Sequence, residues 1–278
     1  MAKIIVTHVN PDLDALCAVW LLLRFDSQFV DAQIKTVPAG STLNNQLVDS
    51  DPEIVHVDTG GGRFDHHHDP SIKNSASRQV FNYLKSSIND KNKRQSLLQL
   101  IKVVTEIDHF GECYWPEPTN YRYNLIIEEI FNGLKTKLNR SEFLDFGLTA
   151  LDGASAAFLS QIKAEADLIQ GQEFKLKQGK CLAVKTTNDR VLHLGQKKGY
   201  VLVVRKDPKS GKIRLAAQPR SGIDLSQACQ KVKTKDPAAT WYLHPSKKLL
   251  LNGSAKNPTH VASKLSLQEI IEIIKNNT

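Results

Sequence analysis

Short apolar runs alternate with longer amphipathic ones over the first 110 residues. KIIVTH is predicted as a strand, and DLDALCAVWLLLRF as a buried helix that opens at an aspartate. IKTVPAG reads as a strand and a turn, and EIVHVDTGGG as a strand closing on an aspartate and three glycines. SRQVFNYLKSSI and SLLQLIKVVTEI place apolar residues three and four apart, the spacing of amphipathic helices. Strands alternating with helices predict an α/β domain, a mostly parallel sheet with helices on both faces. Ligands of such sheets sit beyond the carboxyl ends of the strands. His8 and Asp58, each at a strand end, are therefore expected on one rim.

After the turn-rich GECYWPEPTN the pattern becomes helical, in YNLIIEEIFNGL and then in SEFLDFGLTALDGASAAFLSQIKAEADLI, a long connector with small residues in its middle. From about Phe174 the character changes again. CLAVKTT, GYVLVVRKD and KIRLAAQPRS read as strands, the last two joined by the hairpin-turn sequence DPKSGK. A helix (DLSQACQKV), two strands (TWYLHP and KLLLNGS) and a closing helix (SLQEIIEIIKN) predict a smaller C-terminal α+β domain. The expected organisation is a first domain over 1–140, a helical connector over 141–172 and a second domain over 173–278.

Charge sharpens this division. The chain carries +8 overall, but residues 1–150 hold 15 Lys+Arg against 19 Asp+Glu, a balance of −4, and residues 151–278 hold 22 against 10, a balance of +12. An acidic half suits cations and a basic half suits a phosphate-bearing ligand. The four cysteines, Cys17, Cys113, Cys181 and Cys229, lack CxxC spacing, which argues against a disulfide framework and against a thiolate zinc module. The apolar run from Ala15 to Leu23 is far below the roughly 20 residues of a membrane span, and IIV is too short for a secretory leader. A soluble, cytoplasmic protein that binds no membrane is expected.

Five of the nine histidines fall within the first 68 residues, among aspartates at strand ends. THVNPDLDALCAVW supplies His8, Asp12 and Asp14; HVDTGGGRFDHHHDP supplies Asp58, Asp65, His66, His67 and His68; TEIDHFG supplies Asp108. Asp12 alone has the position of a helix cap. The ordered set of His-x3-Asp-x-Asp, a strand-end Asp, Asp-His-His and a later Asp has no such single explanation. So many acidic groups close together repel one another unless cations lie between them. Mixed imidazole and carboxylate ligands suit Mn²⁺, with Mg²⁺ or Co²⁺ as alternatives. Two such ions about 3.5–4 Å apart polarise a phosphoryl oxygen and deprotonate a bridging water.

In these four motifs, HVNPDLD, the aspartate of HVDTGG, DHH at 65–67 and the aspartate of EIDHFG, the sequence resembles the DHH phosphoesterase superfamily. That group includes RecJ-like exonucleases, oligoribonucleases and manganese-dependent pyrophosphatases. The short interval between Asp58 and Asp65, with EIDHFG, is most similar to its RNA-exonuclease branch. The resemblance implies two divalent cations, His8 and Asp12 holding one, Asp14, His66 and Asp108 the other, and Asp58 bridging. It implies that His67 faces the substrate phosphate and that Asp65 orients its histidine neighbours, both as part of the catalytic set. His68 has no part in the pattern and is expected to be peripheral. Leu13 stands where relatives often have glycine and is expected to pack inward. Many relatives also carry a glycine-rich GGGH loop near the C-terminus, where this chain reads LNGSAKNPTHVAS. Arg220, Asn252, Gly253, Ser254, Thr259 and His260 are therefore the candidate substrate contacts.

The reaction expected is metal-dependent hydrolysis of a phosphodiester in short or single-stranded nucleic acid by a two-metal hydroxide mechanism. Two alternatives stay open on the sequence. One is a phosphatase acting on pyrophosphate, a nucleotide bisphosphate or a cyclic dinucleotide. The other is a nucleic-acid-binding protein without turnover. His56, His109, His193 and His244 read as structural histidines, and Trp20, Trp115 and Trp241 as core or interface residues.

Overall fold

The computed structural model describes residues 3–253, 257 and 259–277. Its chain divides into two compact units, Met1–Leu159 and Ser160–Thr278. It has the α/β class expected, with a parallel sheet first and a mixed sheet second.

In the first unit β1 (Ile4–His8) lies between β2 (Gln33–Val37) and β3 (Ile54–His56), all parallel. Ile5, Val6 and Thr7 are fully buried, as a central strand covered on both faces requires. The register ends with Val6 opposite His56, and the Val57 amide still donates to the Val6 carbonyl at 2.8 Å, so His8 and Asp58 follow at the same end of the two strands. α1 (Leu13–Phe25) follows at once, and every residue from Leu13 to Leu23 is buried. Leu13 packs inward, with only 3% of its surface exposed. α2 (Ala76–Leu84), α3 (Lys91–Asp108) and α4 (Ile127–Leu134) add Val80, Phe81, Leu97, Ile101 and Phe131 to the same core. The helix expected from Tyr123 starts only at Ile127. Asn120 caps a 3₁₀ turn over Tyr121–Leu125, and the extended backbone of Ile126 separates that turn from α4. α5 (Arg140–Ile169) gives Leu144 and Leu151 to this core, and its later residues Ala164 and Leu168 pack in the second unit.

The second unit is a six-stranded sheet in the order β4-β5-β6-β7-β9-β8. The strands are β4 (Gln172–Leu176), β5 (Gly179–Lys185), β6 (Leu202–Lys206), β7 (Ile213–Ala217), β8 (Trp241–Leu243) and β9 (Leu249–Asn252). Only β5 and β6 run parallel; the β6–β7 pair is the antiparallel hairpin its turn sequence predicts. Strand alternation sorts the side chains onto two faces. Cys181, Leu202 and Leu215 join α7 (Ser226–Lys235) and α8 (Leu267–Asn277) on one, and Leu182, Val184 and Val203 join α6 (Arg190–Lys197) on the other. β4 and α6 have no counterpart among the predicted elements. α6 is only eight residues long and follows the turn-like TTND, and β4 is half polar, closing on a tight turn at Gly179. No helix among the described residues is long and apolar enough to cross a membrane.

Candidate metal centre

The carboxyl end of β1 places His8 at the rim, and the next turn starts α1 with Asp12 as its cap. Asp12 Oδ1 accepts from the Ala15 amide at 3.0 Å, while Oδ2 stands 3.9 Å from His8 Nε2. The residue is thus both a helix cap and a neighbour of the histidine. Two residues beyond β3, Asp58 adopts a left-handed backbone with φ +56, an uncommon conformation for any residue with a side chain. Its carboxylate is almost wholly buried and points two ways. Oδ2 is 3.3 Å from His8 Nε2, and Oδ1 is 3.4 Å from His66 Nε2.

Around His66 the acids close in from three elements. Its Nε2 is 3.7 Å from Asp14 Oδ2, 3.4 Å from Asp58 Oδ1 and 3.5 Å from Asp108 Oδ2, the last residue of α3. One ring N–H serves a single acceptor well, so these spacings surround a point rather than describe three hydrogen bonds. Asp14 has further work. Its Oδ2 accepts from the Ala76 amide at 2.6 Å, and Oδ1 accepts from the Ser77 amide at 3.1 Å and the Ser77 hydroxyl at 2.5 Å. It therefore ties the start of α1 to the start of α2.

Asp65 and the glycines before it form a support. Asp65 Oδ2 accepts from the Gly61 amide at 2.7 Å, and Oδ1 lies 2.7 Å from His67 Nδ1. That bond fixes the His67 ring, whose side chain is 64% exposed. Gly61 needs its left-handed φ of +70 to turn its amide inward. His68 is exposed and outside the cluster.

Among the described residues, three groups offer ligand atoms close enough to share an ion: His8, Asp12 and Asp58; Asp58, His66 and His67; His66, Asp108 and His109. The fit can be tested on what the carboxylates lack. Asp58 Oδ1, Asp108 Oδ2, Glu112 Oε2 and Glu128 Oε2 are buried acceptors that no hydrogen bond reaches among the described residues. Unpaired buried acceptors are costly, and divalent cations are the partner such a donor set accepts. The residues fit the group.

Ionisation follows the same geometry. Contact with Asp58 raises the His8 and His66 imidazoles each to about 9, against the burial that opposes it. Burial pushes Asp58 up, but the two imidazoles outweigh it and hold the acid down to about 2. Burial, with the charges of Asp58 and Asp108, lifts Asp14 to about 7. Burial likewise lifts Asp108 to about 6. Without cations, two protonated rings supply the positive charge that this cluster needs.

Sequence reasoning missed three members of this neighbourhood. His109, read as structural, does donate from Nε2 to the Asn74 carbonyl at 2.8 Å, yet that Nε2 is also 3.6 Å from Asp108 Oδ2. Its place beside Asp108 in EIDHFG was the available signal. Glu112 and Glu128 line a cavity of about 230 Å³ together with Asp12, Asp14 and Asp108. Burial raises Glu128 above the usual carboxylate range. Neither glutamate belongs to a spaced motif, so only folding reveals them. His56 is the structural residue expected, its Nε2 accepting from the Leu43 amide at 3.0 Å.

The candidate substrate residues of the second unit divide. Arg220 is exposed and lines a shallow hollow with His193 and Gln218. Gly253, with φ +83, lines a cavity of about 740 Å³ against the uncovered part of the sheet, beside Arg214 and Tyr242. A Cβ on Gly253 would meet the His260 ring at 2.5 Å. His260 Nδ1 lies 3.0 Å from the Asn257 carbonyl, and Thr259 is exposed and bonds Asn257 Oδ1 at 3.1 Å. Asn252 corrects its expectation. It is fully buried, its Nδ2 donates to the Thr240 and Val261 carbonyls at 3.0 and 2.9 Å, and its Oδ1 accepts from Ser263 at 2.7 Å. With its amide so engaged it builds the loop and has nothing left for a ligand. Ser254 lies outside the described residues.

No protein-family model matches the chain, and no curated protein matches it. Among solved structures it is similar to the crystal structure of an exopolyphosphatase-related protein from Bacteroides fragilis. The identity is 14%, the match covers 99% of this chain and 91% of that one, and the TM-score is 0.24. At that score the likeness carries no argument about fold or activity.

Proposed function

We propose that the chain is a metal-dependent phosphodiester hydrolase of the DHH type, acting on short or single-stranded nucleic acid. One observation carries this reading: Asp58 directs one carboxylate oxygen to His8 and the other to His66, so two half-sites share one buried acid. His8 and Asp12 would hold one cation, and His66 and Asp108 a second, with Asp14 beside it. When bound, divalent cations supply Lewis acidity toward a phosphoryl oxygen and lower the pKa of bound water. Everything else is the work of side chains. Asp65 takes His67 Nδ1, which leaves the exposed Nε2 edge of that ring for a substrate phosphate. The tie through Asp14 holds the start of α1 against the start of α2 while substrate binds. The basic balance of residues 151–278, 22 Lys+Arg against 10 Asp+Glu, supplies a surface for phosphates, with Arg220 its candidate contact.

The test is a substrate panel with Mn²⁺ and the purified full chain: pyrophosphate, a nucleotide bisphosphate, cyclic dinucleotides, and RNA and DNA of graded length. Turnover that favours oligonucleotides supports the reading. Turnover that ignores oligonucleotide length and favours the small anions replaces it with a small-molecule phosphatase. Salt-sensitive oligonucleotide binding with no turnover on any member replaces it with a binding protein.

A further inference from the structure

A second cavity, of about 630 Å³, opens within the first unit beside the metal centre. His109 belongs to both places. It lines this cavity, and its ring stands edge-on to His66 with centroids 5.8 Å apart. Three cations, Lys73, Arg78 and Lys102, line the cavity against one carboxylate, Glu106. That carboxylate already accepts from Trp115 Nε1 at 2.8 Å. Among the described residues none of the three cations forms an ion pair, whereas Arg24, Arg63 and Arg122 of the same unit each meet a carboxylate. Arg78 Nε is moreover buried with no hydrogen-bond partner. An unpaired buried donor of this kind costs free energy until an acceptor arrives. The same cavity carries Tyr114, a residue that is 89% exposed.

We infer that this cavity is a nucleotide-binding subsite, in which phosphates of a single-stranded oligonucleotide lie on Lys73, Arg78 and Lys102 and a base stacks on Tyr114. The choice of ligand rests on the phosphodiesterase reading, while the binding itself needs no turnover. A guanidinium offers a planar fork that matches phosphate oxygens. An exposed aromatic face beside cations is the arrangement by which single strands are held without regard to sequence. An inorganic polyphosphate would use the cations and leave the tyrosine ring bare, so the pairing of charge with an aromatic face favours a nucleotide. With His109 as the shared wall, a strand resting here has a phosphate close to the metal centre.

Fluorescence anisotropy of a labelled short oligoribonucleotide, with the full chain in EDTA, reads this binding without hydrolysis. Arg78→Ala and Lys102→Ala should each weaken binding by about tenfold and lower the salt slope by about one. Arg78→Lys should recover part of the loss, and Tyr114→Ala should weaken binding several-fold where Tyr114→Phe does not. Wild-type protein that fails to bind, or alanine variants that bind as tightly as wild type, would overturn the subsite. Displacement by tripolyphosphate but not by adenosine monophosphate would overturn its assignment to nucleotides. If binding follows the expected pattern yet Mn²⁺ brings no cleavage, the subsite stands and the hydrolase reading falls.

Discussion

Asp58 gathers the centre because strand pairing and backbone conformation act on it together. The β1–β3 pairing brings it to the same sheet end as His8, and its backbone is left-handed where its carboxylate reaches both His8 and His66. The two rings it touches carry protons up to about pH 9, from an ordinary value of 6.5. A cation entering this site must displace those protons. Apparent Mn²⁺ affinity should therefore rise with pH, by about tenfold per unit for each proton displaced, and level off above about 9; a titration by calorimetry at several pH values checks this. The sign for folding runs the other way. Folded-state values raised above the unfolded ones stabilise the metal-free protein below pH 6.5, and that contribution is lost as pH rises through about 9. Thermal unfolding in EDTA should show the midpoint falling over that window, with Mn²⁺ restoring it. One residue further out, Asp65→Ala frees the His67 ring and should lower turnover roughly 10–100-fold, as loss of a supporting partner does. It should lower the unfolding midpoint as well, because the Gly61 and His67 amides lose their acceptor.

Among the elements, those with a clear hydrophobic period were legible in the sequence and those defined by caps and turns were not. α1 is apolar for nearly three turns, and its neighbours α2 and α3 keep three- and four-residue spacing, so their positions follow from pattern alone. The ordered motifs at their ends then gave the acids and histidines that the fold gathers around Asp58. α6 and β4 escaped because short polar elements draw their stability from packing against the sheet. Glu112 and Glu128 escaped for a related reason, since their approach to the centre depends on how α4 and a 3₁₀ turn over Gly111–Tyr114 fold beside it. Asn252 shows the opposite error. A polar residue in a candidate loop looked available, yet its amide is spent on three backbone groups. Asn252→Ala should cost the second unit about 3 kcal/mol in urea unfolding, because buried groups lose their partners, while leaving Mn²⁺ affinity of the first unit unaltered.

For the whole molecule the informative fact is the division of charge, −4 over residues 1–150 and +12 over residues 151–278. The acidic part gathers a centre in which Asp58 Oδ1 and Asp108 Oδ2 are buried without a hydrogen bond among the described residues, and the basic part carries the excess of lysine and arginine. The account stands or falls on the centre in the acidic part. The most direct test is to strip the protein of metal, add Mn²⁺ in steps, and follow both bound ion and cleavage of a short oligoribonucleotide in wild type and Asp58→Ala. The account predicts two ions per chain, cleavage that rises with their occupancy, and a variant that loses the paired binding and at least about a hundredfold in turnover. Cleavage that persists without metal, or an Asp58→Ala protein with full Mn²⁺-dependent activity, would contradict it.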